Sequence, residues 1–256
     1  MKIALLSDIH ANLPALQACL AHAAAAGAQQ YAFLGDLVGY GAQPLPVVQR
    51  VMALTRAGAL AVQGNHDAYT GEPEPEAAER NVGHLSVAWT RAQLGPEELA
   101  FLAGLPLSLR QERMLLVHAS ADAPDAWHYV DSAPMAALSL QGAATPPVGS
   151  EAVRYVFSGH VHQQALYFRG ADGRPMAFVP TPGVPIPVPR HRHWLATVGS
   201  VGQPRDGRSD AMYALFDDAA QQLTFHRVRY DVHAAAEAIR QTPLPPFFAN
   251  RLEAGR

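Results

Sequence analysis

The first 67 residues narrow the possible folds more than any other part of the chain. Three short apolar runs, Lys2 to Ser7, Gln30 to Leu34 and Ala59 to Gln63, each end in a polar cluster. The clusters are Asp8-Ile9-His10, Gly35-Asp36 and Gly64-Asn65-His66-Asp67. Each run has the length of a buried strand and is too short for a helix. Between them the spacing changes. Asn12 is placed to N-cap a helix with Pro14 in its first turn, and Leu13, Leu16, Leu20 and Ala24 recur at three and four residues up to Gly27. Pro46 to Arg56 predicts a second helix. The segment therefore reads β-α-β-α-β. Helices alternating with short buried strands imply a parallel or mixed sheet covered on both faces, with a ligand site at the carboxyl ends of its strands. All three polar clusters lie at such ends, so they can meet in space.

The rest of the chain continues the pattern less regularly. Val82 to Leu94 and Pro96 to Ala103 read as helices, and Pro134 to Leu140 as a possible third. Leu107 to Arg110, Met114 to Val117, Arg154 to Phe157, Ala165 to Arg169, Leu195 to Val198, Met212 to Phe216 and Leu223 to Arg229 read as strands. Two of these run into further histidines, at His118 and at Gly159-His160-Val161-His162. Five prolines between Pro180 and Pro189 predict a rigid extended loop, and the acidic run Glu72 to Glu79 a solvated one. Asp231 starts a last helix to about Gln241, followed by a tail in which Phe247 and Phe248 either dock on the body or make an oligomer contact. No linker divides the chain, so residues 1–256 are expected to form a single domain.

Composition excludes several classes. With 49% hydrophobic and 16% charged residues the chain is not disordered. No apolar run approaches the roughly 20 residues of a membrane helix, and no secretory signal is present, so a cytoplasmic protein without membrane contact is expected. The net charge of −3 and the lack of a basic block disfavour nucleic-acid binding. Cys19 is the one cysteine and sits on an apolar helical face, which points to buried packing.

Five fragments in order, all at strand ends, carry the chemistry: Asp8-x-His10, Gly35-Asp36, Gly64-Asn65-His66-Asp67, His118 and Gly159-His160-x-His162. Any one of them is an ordinary turn; the set is not. Carboxylate, imidazole and amide oxygen together suit manganese, iron or zinc, and the lack of cysteine among these fragments disfavours a structural zinc site. Two cations about 3.5–4 Å apart need a bridging anion, and the Asp36 carboxylate has two oxygens for it. Asn65 offers a neutral oxygen. His66 is then free to act on a leaving group.

These residues resemble the signature of the calcineurin-like metallophosphoesterase superfamily: D-x-H, G-D, G-N-H-[DE], a later H, and G-H-x-H. All five parts stand between Asp8 and His162. Ser7-Asp-Ile-His-Ala-Asn-Leu, Leu34-Gly-Asp-Leu-Val-Gly-Tyr-Gly and Gly199-Ser-Val-Gly-Gln-Pro-Arg-Asp-Gly resemble a compact prokaryotic branch of small phosphodiesterases and diadenosine tetraphosphatase-related proteins. That branch commonly has glycine at the position of Ala11, where an alanine fits if its φ is negative. The resemblance implies an α/β fold with two mixed sheets packed as a sandwich, flanked by helices, with the metals at the carboxyl ends of the strands. It implies that Asp8, His10 and His162 hold one metal, that Asn65, His118 and His160 hold the other, and that Asp36 bridges them. His66 matches the histidine that protonates the leaving group. The expected activity is metal-dependent hydrolysis of a small-molecule phosphate ester or anhydride, with a protein phosphatase or a non-catalytic scaffold as alternatives.

Other residues carry less. Asp67 either orients His66 or caps the next turn. Arg205, in the loop Gly199 to Gly207, suits bidentate phosphate binding. Trp127 and Tyr129 can stack a nucleobase, although packing is the commoner use of such residues. The motifs leave the oligomeric state open.

Overall fold

The computed structural model describes residues 1–71, 82–144, 151–170 and 175–256. The acidic run Glu72 to Glu79 lies outside them. In chain order the elements are β1 (Lys2–Leu6), α1 (Leu13–Ala25), β2 (Gln30–Phe33), α2 (Pro44–Arg56), β3 (Leu60–Ala61), α3 (Asn65–Gly71), α4 (Val82–Ala92) and α5 (Pro96–Ala103). Then come β4 (Ser108–Gln111), β5 (Met114–Val117), α6 (Ala133–Gly142), β6 (Tyr155–Ser158), β7 (Gln164–Arg169), β8 (Pro175–Phe178), β9 (Ile186–Pro187) and β10 (Trp194–Val198). The chain closes with β11 (Ala211–Asp217), β12 (Gln222–Val228), α7 (Val232–Arg240) and α8 (Pro246–Ala254).

The strands form two mixed six-stranded sheets, in the orders β3-β2-β1-β11-β12-β9 and β4-β5-β6-β10-β7-β8. Within the first, β1, β2 and β3 are parallel; within the second, β5, β6 and β10 are parallel. The alternation of side chains along a strand explains the layering. In β1, Ile3 and Leu5 point between the sheets, where they join Leu116, Tyr155, Phe157 and Phe216. Ala4 and Leu6 point outward, where α1 and α2 cover them with Leu16, Val48 and Val51. The outer face of the second sheet, with Val117, Val156 and Leu195, is covered by Ala136 and Leu140 of α6. A strand buried on both faces needs an unbroken apolar run, which is why KIALL shows no polar alternation. Cys19 is buried in the α1 face of this core.

The β-α-β-α-β reading of the first 67 residues holds, and Asn12 caps α1 by accepting from the Ala15 N–H. The second sheet is present as the family resemblance implied. Two expectations change. The proline loop contains β9, which pairs with β12 through Ile186 and Pro187 at the sheet edge, where proline is tolerated. The C-terminal tail is a second helix, α8. Its Pro245-Pro246 pair looks like a breaker, yet Pro246 occupies the first turn, where proline is favoured, and Phe248, Ala249 and Leu252 form its buried face. Among the described residues, no helix is long and apolar enough to cross a membrane.

Candidate metal centre

The carboxyl ends of the two parallel strand sets meet. Asp8 N–H donates to the Gly35 carbonyl (3.0 Å) and His10 N–H to that of Asp36 (3.0 Å), which ties the turns after β1 and β2. Across the sheets, His160 N–H donates to Asp8 Oδ2 (2.9 Å) and Gly202 N–H to the Asp8 carbonyl (2.9 Å). The turns are strained. Asp8, His10, Ala11, Asp36, Tyr40, His160 and His162 all have positive φ, between 47° and 66°. Such conformations cost about 1–2 kcal/mol each for a residue with a Cβ, and they cluster where structure is held for function. Ala11 is among them at φ 52°, so the expectation of a negative φ there is corrected. Its N–H on Leu37 O and its carbonyl under Gln43 N–H hold it in place.

These turns aim seven side chains into one buried space. Asp8, His10 and His162 bring ligand atoms together on one side, and Asp36, His118 and His160 on the other. Asp36 Oδ2 lies between them, 3.8 Å from His10 Nε2 and 3.4 Å from His118 Nε2. Asn65 Oδ1 stands 3.2 Å from His118 Nε2.

The orientation of the histidines tests whether these residues suit a cation. His10 Nδ1 faces the Val38 carbonyl (3.1 Å), His118 Nδ1 that of Leu34 (2.7 Å) and His162 Nδ1 that of Gln203 (2.6 Å). A carbonyl only accepts, so in the neutral ring Nδ1 carries the proton and Nε2 presents a lone pair inward. Those lone pairs face other acceptors. His10 Nε2 and His162 Nε2 are 3.2 Å apart, and His162 Nε2 is 3.1 Å from Asp8 Oδ1. Asp8 Oδ1 is buried and receives no hydrogen bond. On the other side His118 Nε2 lies 3.1 Å from His160 Nδ1. His10 Nε2, His162 Nε2 and Asp8 Oδ1, acceptors converging at such distances, repel one another unless positive charge lies among them, so the donor set fits a cation there.

Electrostatics agree. Burial alone raises Asp8 and Asp36, but His162 beside Asp8, and His118 and His66 beside Asp36, outweigh it, so both carboxyls stay well below their ordinary range. Burial and His162 hold His10 well below its usual value, and burial with His118 takes His160 down to about 4. Both are therefore neutral, the form that binds metal. His118 differs: burial lowers it, but Asp36 prevails and raises it to about 9, so a proton competes with a cation there.

Residues 1–220 match the sequence profile of the calcineurin-like phosphoesterase superfamily domain. The chain belongs to this superfamily. An uncharacterized protein of Methanocaldococcus jannaschii is 31% identical to it, over 99% of this chain and 98% of that protein. Among solved structures, a metallophosphoesterase from Sphaerobacter thermophilus is 32% identical and superposes with a TM-score of 0.86, covering all of both chains. A hypothetical protein from Pyrococcus horikoshii, 18% identical, has the same fold, with a TM-score of 0.76 over 100% of this chain and 98% of its own. Membership makes the chain a hydrolase of the metallophosphoesterase kind, and the converging donors are candidate ligands for its metal ions.

The remaining expected residues sort themselves by contact. His66, at the start of α3, donates its backbone N–H to Asp36 Oδ1 (2.8 Å), and its Nε2 meets the Tyr40 hydroxyl (2.8 Å). Asp67 does not reach His66. Its carboxylate accepts N–H groups of Leu37 (2.9 Å), Val38 (3.4 Å) and Gly64 (3.0 Å), so it clasps the Asp36 turn to α3. Burial, and then Asp36, push Asp67 up to about 7. Arg205 donates its backbone N–H to the His162 carbonyl (3.2 Å) and an Nη to Gln203 Oε1 (3.0 Å), at the rim of the centre. Tyr129 lays its ring flat on His160, with centroids 4.0 Å apart, and remains 49% exposed; Trp127 stands edge-on to His118.

Sequence reasoning passed over Tyr40; of the two readings it left for Phe248, the structure shows docking on the body, with 2% of it exposed. Tyr40 stood in view as part of Gly39-Tyr40-Gly41, four residues past Asp36. Phe248 packs on it with ring centroids 5.0 Å apart, and nothing in the local sequence of α8 points to that contact.

Proposed function

We propose that the chain is a two-metal phosphoesterase that hydrolyses a phosphodiester or phosphate anhydride in a small molecule. The observation that carries this reading is the convergence of carboxylate and imidazole donors on either side of Asp36, with Asp8, His10 and His162 on one side and His118 and His160 on the other. Asp8, His10 and His162 would hold one cation and Asn65, His118 and His160 the other, with Asp36 shared. Manganese, iron or zinc suits this mixture of oxygen and imidazole donors. Such cations lower the pKa of a shared water towards neutrality and polarise the phosphoryl oxygen.

The chain's own residues supply the rest. The carbonyls of Val38, Leu34 and Gln203 lock the imidazoles, so the donors need little rearrangement on binding. His66 is held beside Asp36 through its backbone, and the Tyr40 hydroxyl fixes its ring. It serves as the proton donor to the departing oxygen. Arg205 binds a phosphate oxygen at the rim. The partial cover of the centre by Tyr129 and α8 favours a small substrate over a protein.

Two measurements test this. Manganese-loaded protein is screened on phosphomonoesters, phosphodiesters and dinucleoside polyphosphates; hydrolysis of none rejects the reading. His66→Ala is then compared with wild type on nitrophenyl and alkyl or nucleoside esters. A nitrophenolate leaves without protonation, whereas an alkoxide needs the proton. The loss should reach about 10²- to 10⁴-fold on alkyl esters and be much smaller on nitrophenyl esters. Equal losses reject proton donation by His66.

A further inference from the structure

Residues 1–220 match the superfamily profile, and α7 and α8 lie beyond them. The two helices share a buried seam of Ala236, Ile239, Leu244, Phe248 and Leu252. Phe248 does more than fill that seam. Its ring packs on Tyr40, in the turn that follows Asp36, with centroids 5.0 Å apart and the planes at 32°. Together with Leu252 it lines a narrow cleft whose other side is His10, Tyr40 and Gln203.

Tyr40 needs support from outside its own turn. Its φ of 63° is unfavourable for a bulky aromatic residue, and such a conformation persists only where the surroundings fix it. Two elements do so. Ser86 of α4, fully buried, accepts the Tyr40 N–H on its Oγ (2.6 Å), which fixes the backbone. Phe248 of α8 fixes the ring. The ring in turn meets the imidazole of His66 edge-on, with centroids 4.4 Å apart, and its hydroxyl meets His66 Nε2 (2.8 Å). On the far side the imidazole backs onto Gly39, where an added Cβ would stand 2.6 Å from Nδ1. That Nδ1 is buried and has no hydrogen-bond partner among the described residues. The Tyr40 hydroxyl is therefore the one hydrogen bond that sets the tilt of the His66 ring, and the contact with Phe248 sets where the hydroxyl stands.

We propose that Phe248 is a positioning residue for His66: through Tyr40, the α7–α8 pair keeps the imidazole aimed, and this equips the chain to cleave esters whose leaving group needs a proton. The inference rests on the reading of His66 as proton donor. It assigns the helix pair a part in the reaction that burying its own seam does not require. Small errors of aim suffice for an effect, because a misplacement of about 1 Å costs about 10²-fold in rate. The effect is confined to poor leaving groups, since a nitrophenolate departs without protonation and is indifferent to the aim of His66.

The test uses the full-length chain. Phe248→Leu keeps an apolar side chain in the seam and removes the ring from Tyr40; Phe248→Met takes its place if the leucine variant does not fold. Tyr40→Phe keeps the packing and removes the hydroxyl. Leu244→Ala, in the turn between the helices, loosens the same seam and is the control for lost stability. Manganese-loaded variants are compared on alkyl and nitrophenyl phosphodiesters. Tyr40→Phe and Phe248→Leu should each lose about tenfold on the alkyl ester, the value of one hydrogen bond, and little on the nitrophenyl ester. Leu244→Ala should keep the wild-type ratio of the two rates. Because the two residues act in series, Phe248→Leu added to Tyr40→Phe should cost little more than Tyr40→Phe alone. Nitrogen-15 spectra of the zinc-loaded chain give a readout independent of turnover: the His66 Nε2 signal should move in Phe248→Leu in the direction it moves in Tyr40→Phe, and stay in place in Leu244→Ala. Equal losses on both esters, losses that multiply in the double variant, or an unmoved Nε2 signal overturn the inference. If His66→Ala itself loses equally on both esters, the proton-donor reading falls; a moved signal in Phe248→Leu then leaves the positioning contact standing, and an unmoved one overturns that as well.

Discussion

Replacing Gly159 with alanine puts a methyl group where the strand ends of the two sheets press together. An ideal Cβ there overlaps Ser7 Oγ and stands 2.5 Å from Asp8 Oδ2 and 2.6 Å from Ser7 Cβ. Non-bonded contacts settle at about 3.5–4.0 Å. Rotating the Ser7 hydroxyl away is therefore no remedy, and that hydroxyl is buried and bonded to the Leu34 carbonyl (3.1 Å). The turn has to give by about 1 Å. His160 follows Gly159 directly and is tied to Asp8 Oδ2, so the shift moves one donor from each side of Asp36. Overpacking of this kind costs about 1–3 kcal/mol of stability, and a misplacement of about 1 Å costs about 10²-fold in rate. Gly183→Ala is the control: its φ is +80° but nothing lies within 4 Å of the added Cβ, so it strains the backbone far from the centre. Urea unfolding, metal content and ester hydrolysis are measured on both. Gly159→Ala should lose stability, metal and rate together, while Gly183→Ala should lose only stability. A Gly159→Ala protein with normal metal content and near-normal rate would refute the view that these turns brace the donors.

Asp36→Asn should be the most damaging change of a single ligand. The amide oxygen can still accept from His66 N–H, but its NH2 replaces the oxygen shared between His10 and His118. Metal content by elemental analysis should fall at both positions and the rate by more than about 10²-fold, the upper end for supporting residues; retained metal and rate would remove Asp36 from the shared position. Away from the centre, His226 stacks on Tyr213 (4.8 Å) beside His22 (5.0 Å), and burial, with His22, lowers its pKa to about 4. A histidine depressed in the fold contributes stability above its unfolded pKa and loses it as pH falls from about 6.5 to about 4. Discounted for partial exposure, wild type should lose about 1–2 kcal/mol more than His226→Gln between pH 7.5 and 4.5 in urea unfolding. Parallel losses would show that His226 does not titrate in this way.

The centre was legible because its donors stand next to strand ends, where a buried apolar run stops at a polar residue. Asp8, Asp36 and His118 each follow such a run, and parallel strands bring those ends together whatever their separation in sequence. The elements that orient the donors were not legible. Val38, Leu34 and Gln203 act through backbone carbonyls, which any residue carries. The positive φ of Ala11 has no signature in an alanine. Asp67 had two equal readings because a carboxylate after histidine can turn to the ring or to the backbone, and only the position of the Asp36 turn decides for the backbone. Helix α8 was hidden behind two prolines, and its role at the rim depends on Phe248 meeting Tyr40 from more than 200 residues away.

Two cations sharing Asp36 is the central claim, and anomalous scattering from crystals of active, manganese-loaded protein tests it most directly. The account predicts two peaks about 3.5–4 Å apart. One should lie among Asp8, His10 and His162, the other among Asn65, His118 and His160, with the Asp36 carboxylate between them. A single peak, or peaks away from these side chains, in crystals of protein that hydrolyses a phosphoester would contradict it.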